Sequence, residues 1–328
     1  MTPSLSVVMS VYNGGSELGP AIDSVLAQTF RDFEFIIVND GSTDHSLQIL
    51  REYAGRDARI KVIDQGNTGL TVALKRGVKA SEGEFVARMD ADDVSMPTRF
   101  EKQMALLRSD DALAMVSCHL EHFDEAGSTK LVQRLGFDPR LARLFLCFHN
   151  LIAGHGQVIF RRAAYEAAGG YDPDYNLAED YDLWTRILRQ GTLGIVPEVL
   201  YRYRVSDDSV TARNKSAQEG VTRRVIGREC ARLTGDEISE DTAQAMLEFW
   251  WARKPERTPI RAITKLNSAM SKVFDSYFEQ NPSLGSLKVE AAGTLAQTWR
   301  WRGAKVRAAD IARRALYLAY AGLWRLRA

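Results

Sequence analysis

Residues 88–93 read "RMDADD" and set Asp90, Asp92 and Asp93 within four positions, directly after an apolar run. Carboxylates this close repel one another unless a counter-charge holds them. Asp90 and Asp92 are two residues apart, so on extended or turning backbone both can face the same way. Hard divalent cations such as Mg2+ and Mn2+ take oxygen ligands, commonly one or two carboxylates with substrate phosphates. The pair therefore suits a cation–diphosphate site. The plainer alternative is an acidic turn, with Asp93 capping the helix expected in "MPTRFEKQMALLR". An isolated Asp-x-Asp recurs by accident and does not decide between the two.

The elements around the cluster follow an alternating rhythm. "LSVVMSVY" (5–12), "FEFIIV" (33–38), "RIKVID" (59–64) and "EFVARM" (84–89) read as strands. The first two are almost continuously apolar, which suits parallel strands covered on both faces. Helical spacing occupies 16–29, with Ile22, Val25 and Leu26 on one stripe, then 43–54 and 69–80. "STDHS" offers Ser and Asp caps for the second of these helices. The βαβα order predicts an α/β fold with an open, mostly parallel sheet and helices on both sides. Ligands of such sheets collect beyond the carboxyl ends of the strands. Polar clusters fall there three times, at Ser10–Asn13, Asn39–Asp44 and Asp90–Asp93. Shorter strands follow from about residue 113, and 181–190 reads as a helix. Beyond about 212 the chain turns polar and helix-prone, so a boundary is expected there.

Bulk composition excludes little. The 328 residues are 45% hydrophobic and 26% charged with net charge +1, which gives no global electrostatic case for a nucleic-acid partner. Cys118, Cys147 and Cys230 are far apart without CxxC pairing, so a disulfide framework is not expected and a reducing cytoplasm fits. The first residues lack the pattern of a signal peptide, and no apolar window is long enough to span a bilayer. No G-x-G-x-x-G follows the first strand, which leaves a classical dinucleotide site unsupported.

Residues 1–204 as a whole resemble the catalytic domain of glycosyltransferase family 2, which has the GT-A fold, a Rossmann-like sheet. The resemblance rests on "SVVMSVYNG" (6–14), "SVLAQTFRDFEFIIVNDGSTD" (24–44), "GNTGLTVALKRGVKASEGEFVARMDADDVSMPTRF" (66–100), "GHGQVIFRR" (154–162) and "GGYDPDYNLAEDYDLWTRI" (169–187), in that order. It implies a nucleoside diphosphate-sugar donor, usually a UDP-sugar, with Mn2+ or Mg2+ as cofactor. Ser10 and Tyr12 match part of the nucleotide pocket, and Asp40 matches the aspartate that bonds the base. Asp90 matches the position near ribose and diphosphate, Asp92 the metal ligand, and Asp93 a supporting role. Asp180 matches the catalytic base, with Glu179 beside it; its plainer role is to cap the helix at 181–190. His155 falls near donor or acceptor, or is simply packed beside its glycines; Arg204 reads as a diphosphate contact or, more commonly, as a strand-edge arginine, and Trp184 as core.

Chemistry suits this division. Cleaving the anomeric carbon–phosphate bond develops charge on the leaving diphosphate, which a cation stabilises. The attacking hydroxyl must lose a proton to a positioned carboxylate. A single displacement would invert the anomeric centre. Three departures from the family stand out: Asn39 replaces a second aspartate, Leu74 and Lys75 replace a common Arg-Asn pair, and the Gln-x-x-Arg-Trp motif of processive members is absent. The last favours one sugar per acceptor, in surface polysaccharide or glycolipid synthesis. Two other classes compete. A sugar nucleotidyltransferase would carry a basic, Gly-rich loop after the first strand, where "SVYNGGSELG" has no basic residue. A non-catalytic nucleotide- or carbohydrate-binding protein would not need Asp92 and Asp180.

The tail adds a separate signal. Residues 300–328 carry eight Arg and Lys residues against the single acid Asp310. On a helical wheel Ile311, Ala312, Ala315, Leu316, Ala319, Leu323 and Leu326 share one face, with Tyr320 and Trp324 toward its flank. This fits an interfacial helix on the cytoplasmic membrane surface, suited to a lipid-linked acceptor. It equally fits a helix packed on its own protein or on a second subunit of a homo-oligomer.

Overall fold

In the computed structural model, residues 2–206, 214–251, 259–306 and 311–328 are described. The chain separates into two units. One comprises Met1–Gly136 and Ile152–Lys215; the other comprises Phe137–Leu151 and Ser216–Ala328.

The first unit is built on one mixed sheet. Strands β1 (Leu5–Val11), β2 (Phe33–Asp40), β3 (Ile60–Gln65) and β4 (Phe85–Met89) pair in parallel in the order β3-β2-β1-β4. Helices α1 (Leu18–Leu26), α2 (Ser46–Arg56) and α3 (Leu70–Ala80) connect them. Every residue of β2 and β4 is buried, Glu34, Asp40 and Arg88 included, and cover on both faces is why their other positions are mostly apolar. The sheet continues through β8 (Ile159–Arg161), antiparallel to β4, and β6 (Leu113–Phe123), antiparallel to β8. Next comes β9 (Thr192–Arg204), parallel to β6, with β5 (Val94–Ser95) antiparallel on its far side. β7 (Thr129–Gln133) forms a hairpin with β6. Leu5, Val7, Phe35, Ile37, Phe85 and Met104 belong to one buried core that includes α4 (Arg99–Ser109).

Parallel register is what gathers the polar clusters. Val11 lies opposite Asn39, Asp40 opposite Gln65, and Met9 opposite Met89. The loops after β1, β2 and β4 therefore leave the same edge of the sheet. Element edges differ from the sequence expectation in three places. α1 ends at Leu26, and α2 begins at Ser46, whose N–H donates to Asp44 Oδ1 at 2.9 Å. The helix expected from 181 begins earlier: α7 spans Glu179–Ile187, after α6 (Arg162–Ala167).

The second unit is helical: α5 (Ala142–Phe145), α8 (Lys215–Thr234), α9 (Glu240–Trp251), α10 (Ile260–Gln280), α11 (Lys288–Lys305) and α12 (Ile311–Arg327). Leu266, Met270, Phe274, Leu295 and Trp299 are fully buried there. α12 docks through Tyr317, Ala321 and Trp324, all buried. Trp324 Nε1 donates to Asn267 Oδ1 at 2.9 Å, and Arg327 pairs with Asp275 at 3.2 Å. Trp324, expected at a flank of the apolar stripe, thus belongs to the packed face. Ile311 and Ala312 of the tail pattern lie outside the residues whose side chains are described. Among the described residues no helix is long and apolar enough to cross a membrane.

Candidate active site

At the first two strand ends the loops are tied together by hydrogen bonds. Asn13 adopts φ 53 and accepts from Thr43 N–H at 2.8 Å, while its own N–H donates to Ser42 Oγ at 3.0 Å. Gly14 N–H donates to Ser46 Oγ at 2.9 Å. Ser10 sits half-buried at the end of β1, and Tyr12 stands 54% exposed on the loop beyond it. Asp40 is buried at the end of β2. Its Oδ1 accepts from Gln65 Nε2 (2.7 Å), Thr68 N–H (2.9 Å) and Thr68 Oγ1 (3.0 Å), and its Oδ2 from Gly69 N–H (2.8 Å). Burial pushes this carboxyl up, but the four donors outweigh it and hold the group below its ordinary value. A carboxylate oxygen offers about two acceptor positions, so Oδ2, which meets Gly69 N–H here, retains one. Gly41 follows at φ 74, where a Cβ would lie 2.5 Å from Asn67 N; only glycine closes this turn. Asn39, at the departure from the family pattern, donates to Asp64 Oδ1 at 2.7 Å.

The acidic loop after β4 rests on buried arginines. Asp90 Oδ1 accepts from Arg88 Nη2 at 2.6 Å, and Arg88 is 2% exposed. Burial opposes the charge of Arg88, yet Asp90 first, then Tyr171, Tyr201 and Glu179, hold its pKa above the ordinary value. Asp90 N–H donates to the Tyr201 hydroxyl at 3.2 Å. That hydroxyl fills space beside Gly156, where a Cβ would fall 1.8 Å from it. Arg99, also buried, donates to Arg88 O at 2.9 Å and lies 4.9 Å from the Tyr201 ring. Asp93 does not cap a helix: it is buried, and its Oδ1 accepts the Arg204 N–H at 2.8 Å. The acidic turn is fastened to β9 instead. Arg204 itself donates from Nε to Asp92 O at 3.0 Å and pairs with Glu17. Asp92 stays solvent-exposed within a recess, where desolvation and then the Asp90 charge push its carboxyl up to about 6.

The second half of the site sits at the start of α7. The N-cap is Ala178, so Asp180 lies inside the first turn and is not the capping residue. The chain enters this turn through Leu177 at φ 78, a left-handed conformation that costs a β-carbon-bearing residue about 1–2 kcal/mol. Asn176 Oδ1 accepts from Thr71 Oγ1 at 2.9 Å, and Arg186 binds Asp182 and the Gly170 carbonyl (2.7 Å), which fastens both approaches. Asp180 is half-buried and accepts the Tyr181 N–H at 2.6 Å. Glu179 points inward at 6% exposure; burial, then the Asp180 charge, push it up to about 7. His155 Nδ1 lies 3.6 Å from Glu179 Oε1, and its Nε2 lies 2.7 Å from the Tyr171 hydroxyl. Burial, with Arg88 adding to it, drives the His155 pKa well below its usual value, so the ring is neutral. Trp184 is fully buried with its ring edge-on to His155 at 5.7 Å, as core.

The two halves share one electrostatic neighbourhood. The hydroxyl of half-buried Tyr203 is raised by desolvation and then by Asp93, Asp90, Asp92 and Asp180 together. Arg88 couples to both Asp90 and Glu179. Arg88, Tyr171, Tyr201 and Tyr203 escaped the sequence reading. An arginine inside a buried strand beside three acids was the available signal for the first. Among the described residues no group of three or more His, Cys, Asp or Glu is set to hold a metal alone. Asp92, with Asp90 adjacent, is the pair that would suit a hard cation whose remaining ligands are phosphate and water oxygens.

Comparison with known proteins agrees with this architecture. The model of "Glycosyl transferase family 2" matches residues 6–169. An uncharacterized glycosyltransferase of Haemophilus influenzae is 30% identical over 232 residues, 68% of this chain and 72% of the relative. The O-antigen biosynthesis glycosyltransferase WbnJ of Escherichia coli is 34% identical over 188 residues, 57% of this chain and 72% of the relative. S. aureus TarS 1-349 in complex with UDP-GlcNAc has a TM-score of 0.60 at 17% identity, covering 99% of this chain and 91% of that one. The mannosyltransferase PcManGT of Pyrobaculum calidifontis, in complex with GDP-Man and Mn2+, has a TM-score of 0.54 at 18% identity, with coverages of 99% and 88%. These two structures share the fold. The chain belongs to glycosyltransferase family 2 and is a glycosyltransferase.

Proposed function

We propose that this enzyme transfers one sugar from a UDP-sugar to an acceptor hydroxyl with inversion, in surface polysaccharide or glycolipid synthesis. The observation that carries the reading is the pairing of two acidic halves, Asp90–Asp92 at a strand end and Glu179–Asp180 at a helix start, around the buried Arg88. Ser10, Tyr12 and Asp40 line the nucleotide end, with Oδ2 of Asp40 available to a base N–H. Asp90, held by Arg88, faces ribose and diphosphate, and Asp92 holds Mn2+ or Mg2+. The cation supplies charge stabilisation for the departing diphosphate. The acceptor oxygen attacks the anomeric carbon, the carbon–phosphate oxygen bond breaks, and the hydroxyl proton passes to Asp180. Arg204 pairs with Glu17 and donates to the Asp92 carbonyl, so it braces the acidic loop. The catalytic region is 1–212, acting at the cytoplasmic face on a carbohydrate or lipid-linked acceptor. The relative named for O-antigen biosynthesis and the fold neighbours bound to UDP-GlcNAc or GDP-Man support this class of donor and product.

The test is a panel of UDP- and GDP-sugars with Mn2+, read by thermal shift and by slow donor hydrolysis. A UDP-sugar is expected to raise Tm only when Mn2+ is present. Protection by no nucleotide sugar would refute the reading. Protection by GDP-sugars alone would refute its uridine part.

A further inference from the structure

We propose that the outward face of α12 is a docking surface for an anionic lipid bilayer. α12 packs on its own unit through Tyr317, Ala321 and Trp324, leaving the opposite side uncovered. That side carries the apolar stripe: Ala315 and Ala319 are exposed, Leu323 is 53% exposed and Leu326 86%. Leu318, 44% exposed, extends the stripe toward one edge. At about 100° per residue these positions lie together, and Arg314 and Arg325, both exposed, border them on the Leu318 side. The helix therefore has two apolar faces, one occupied by protein and one open. Soluble proteins rarely leave leucines contiguous on one helix face without a partner.

Charge selects the occupant. Between Ala291 and Ala328 the only acid is Asp310, against eight Arg and Lys residues. A second copy docking on this face through a two-fold axis would bring Arg314 and Arg325 up to the other copy's equally basic helix, with no carboxylate on that helix to answer them. Nucleic acid would answer the arginines but leave the leucines without apolar partners. A bilayer containing anionic lipid meets both requirements, leucines entering the acyl boundary and arginines meeting phosphate and carboxylate headgroups. The helix lies in the plane of the surface. This surface is independent of the transfer reaction proposed above, so either can fail alone.

The experiment is flotation of the full chain with vesicles of pure phosphatidylcholine and of phosphatidylcholine mixed with phosphatidylglycerol. Partition is expected only with the mixed vesicles, and it should weaken as salt is raised. Leu323→Glu with Leu326→Glu is expected to lower partition about tenfold or more. Arg314→Glu with Arg325→Glu should also lower it about tenfold or more, at roughly fivefold for each arginine. These side chains are exposed, so Tm should stay at the wild-type value, which separates lost docking from lost folding. Two results would overturn the proposal. One is wild-type partition that is absent or unaffected by either pair of substitutions. The other is a concentration-dependent dimer in light scattering that the leucine pair abolishes, which would assign the face to a second copy.

Discussion

Tyr171 reaches the chemistry only through other side chains. Its hydroxyl lies 2.7 Å from His155 Nε2, and His155 Nδ1 faces Glu179, next in sequence to Asp180. Tyr171→Phe removes that hydroxyl and leaves the ring packing in place. It is expected to lower kcat about three- to tenfold with donor KM unchanged; an unchanged kcat would show that the chain of contacts is structural alone. Glu179 gives a sharper test. In the fold its pKa rises from 4.5 to about 7, so between those values the folded state holds a proton that the unfolded chain has released. Its contribution therefore favours folding at low pH and is lost as pH rises through that window. Glu179→Gln should remove this loss, raising stability above about pH 7 by roughly 2–3 kcal/mol relative to wild type, less whatever new strain the amide introduces. Denaturant unfolding at about pH 5 and pH 8 reads the difference.

Among the elements, the β8 approach and β9 hold the acidic loop, and Gly156 is where they meet. A methyl there would overlap the Tyr201 hydroxyl, which accepts the Asp90 N–H. Gly156→Ala is expected to destabilise by about 1–3 kcal/mol and to weaken Mn2+ and nucleotide binding together, because the displaced tyrosine carries the loop with it. Calorimetric titration beside a thermal melt checks both. The strands leading to this point were legible in the sequence because parallel strands buried on both faces are nearly continuously apolar instead of alternating, as in "FEFIIV". The supports of the site were not. Arg88 sits in a strand pattern where arginine ordinarily marks an exposed edge, and only the packing reveals Asp90 as its buried counter-charge. Asp180 and Asp93 both have the residue type of a helix cap, yet Ala178 and Thr98 occupy those cap positions. Which backbone N–H a carboxylate meets depends on how the chain enters the helix, here through left-handed Leu177. The wheel of the last helix likewise showed an apolar stripe but not that the buried face would be the aromatic one.

For the molecule as a whole, titration and cation binding are linked. Asp92, raised to about 6, and Asp93, raised by burial and by Asp90 and Asp92, follow the same sign as Glu179, and together they make stability fall from about pH 4 to pH 7. Asp40, Glu34 and Asp57 are held low, so their contribution is present above the ordinary carboxylate range and lost as pH drops below about 4. Without cation the most stable pH is therefore expected near 4. Mn2+ needs ionised carboxylates, so it should raise Tm clearly at about pH 7.5 and little at about pH 5. Scanning calorimetry with and without Mn2+ at both values tests this.

The central claim is that binding and proton transfer are divided between Asp92 and Asp180. Calorimetric titration of UDP with Mn2+, paired with UDP release from the UDP-sugar that the panel selects, addresses it in wild type, Asp92→Asn and Asp180→Asn. Asp180→Asn is expected to bind UDP as wild type does and to lose turnover by about 100-fold or more, whereas Asp92→Asn should lose Mn2+-dependent binding itself. Wild-type turnover in Asp180→Asn, or undiminished Mn2+-dependent binding in Asp92→Asn, would contradict the account.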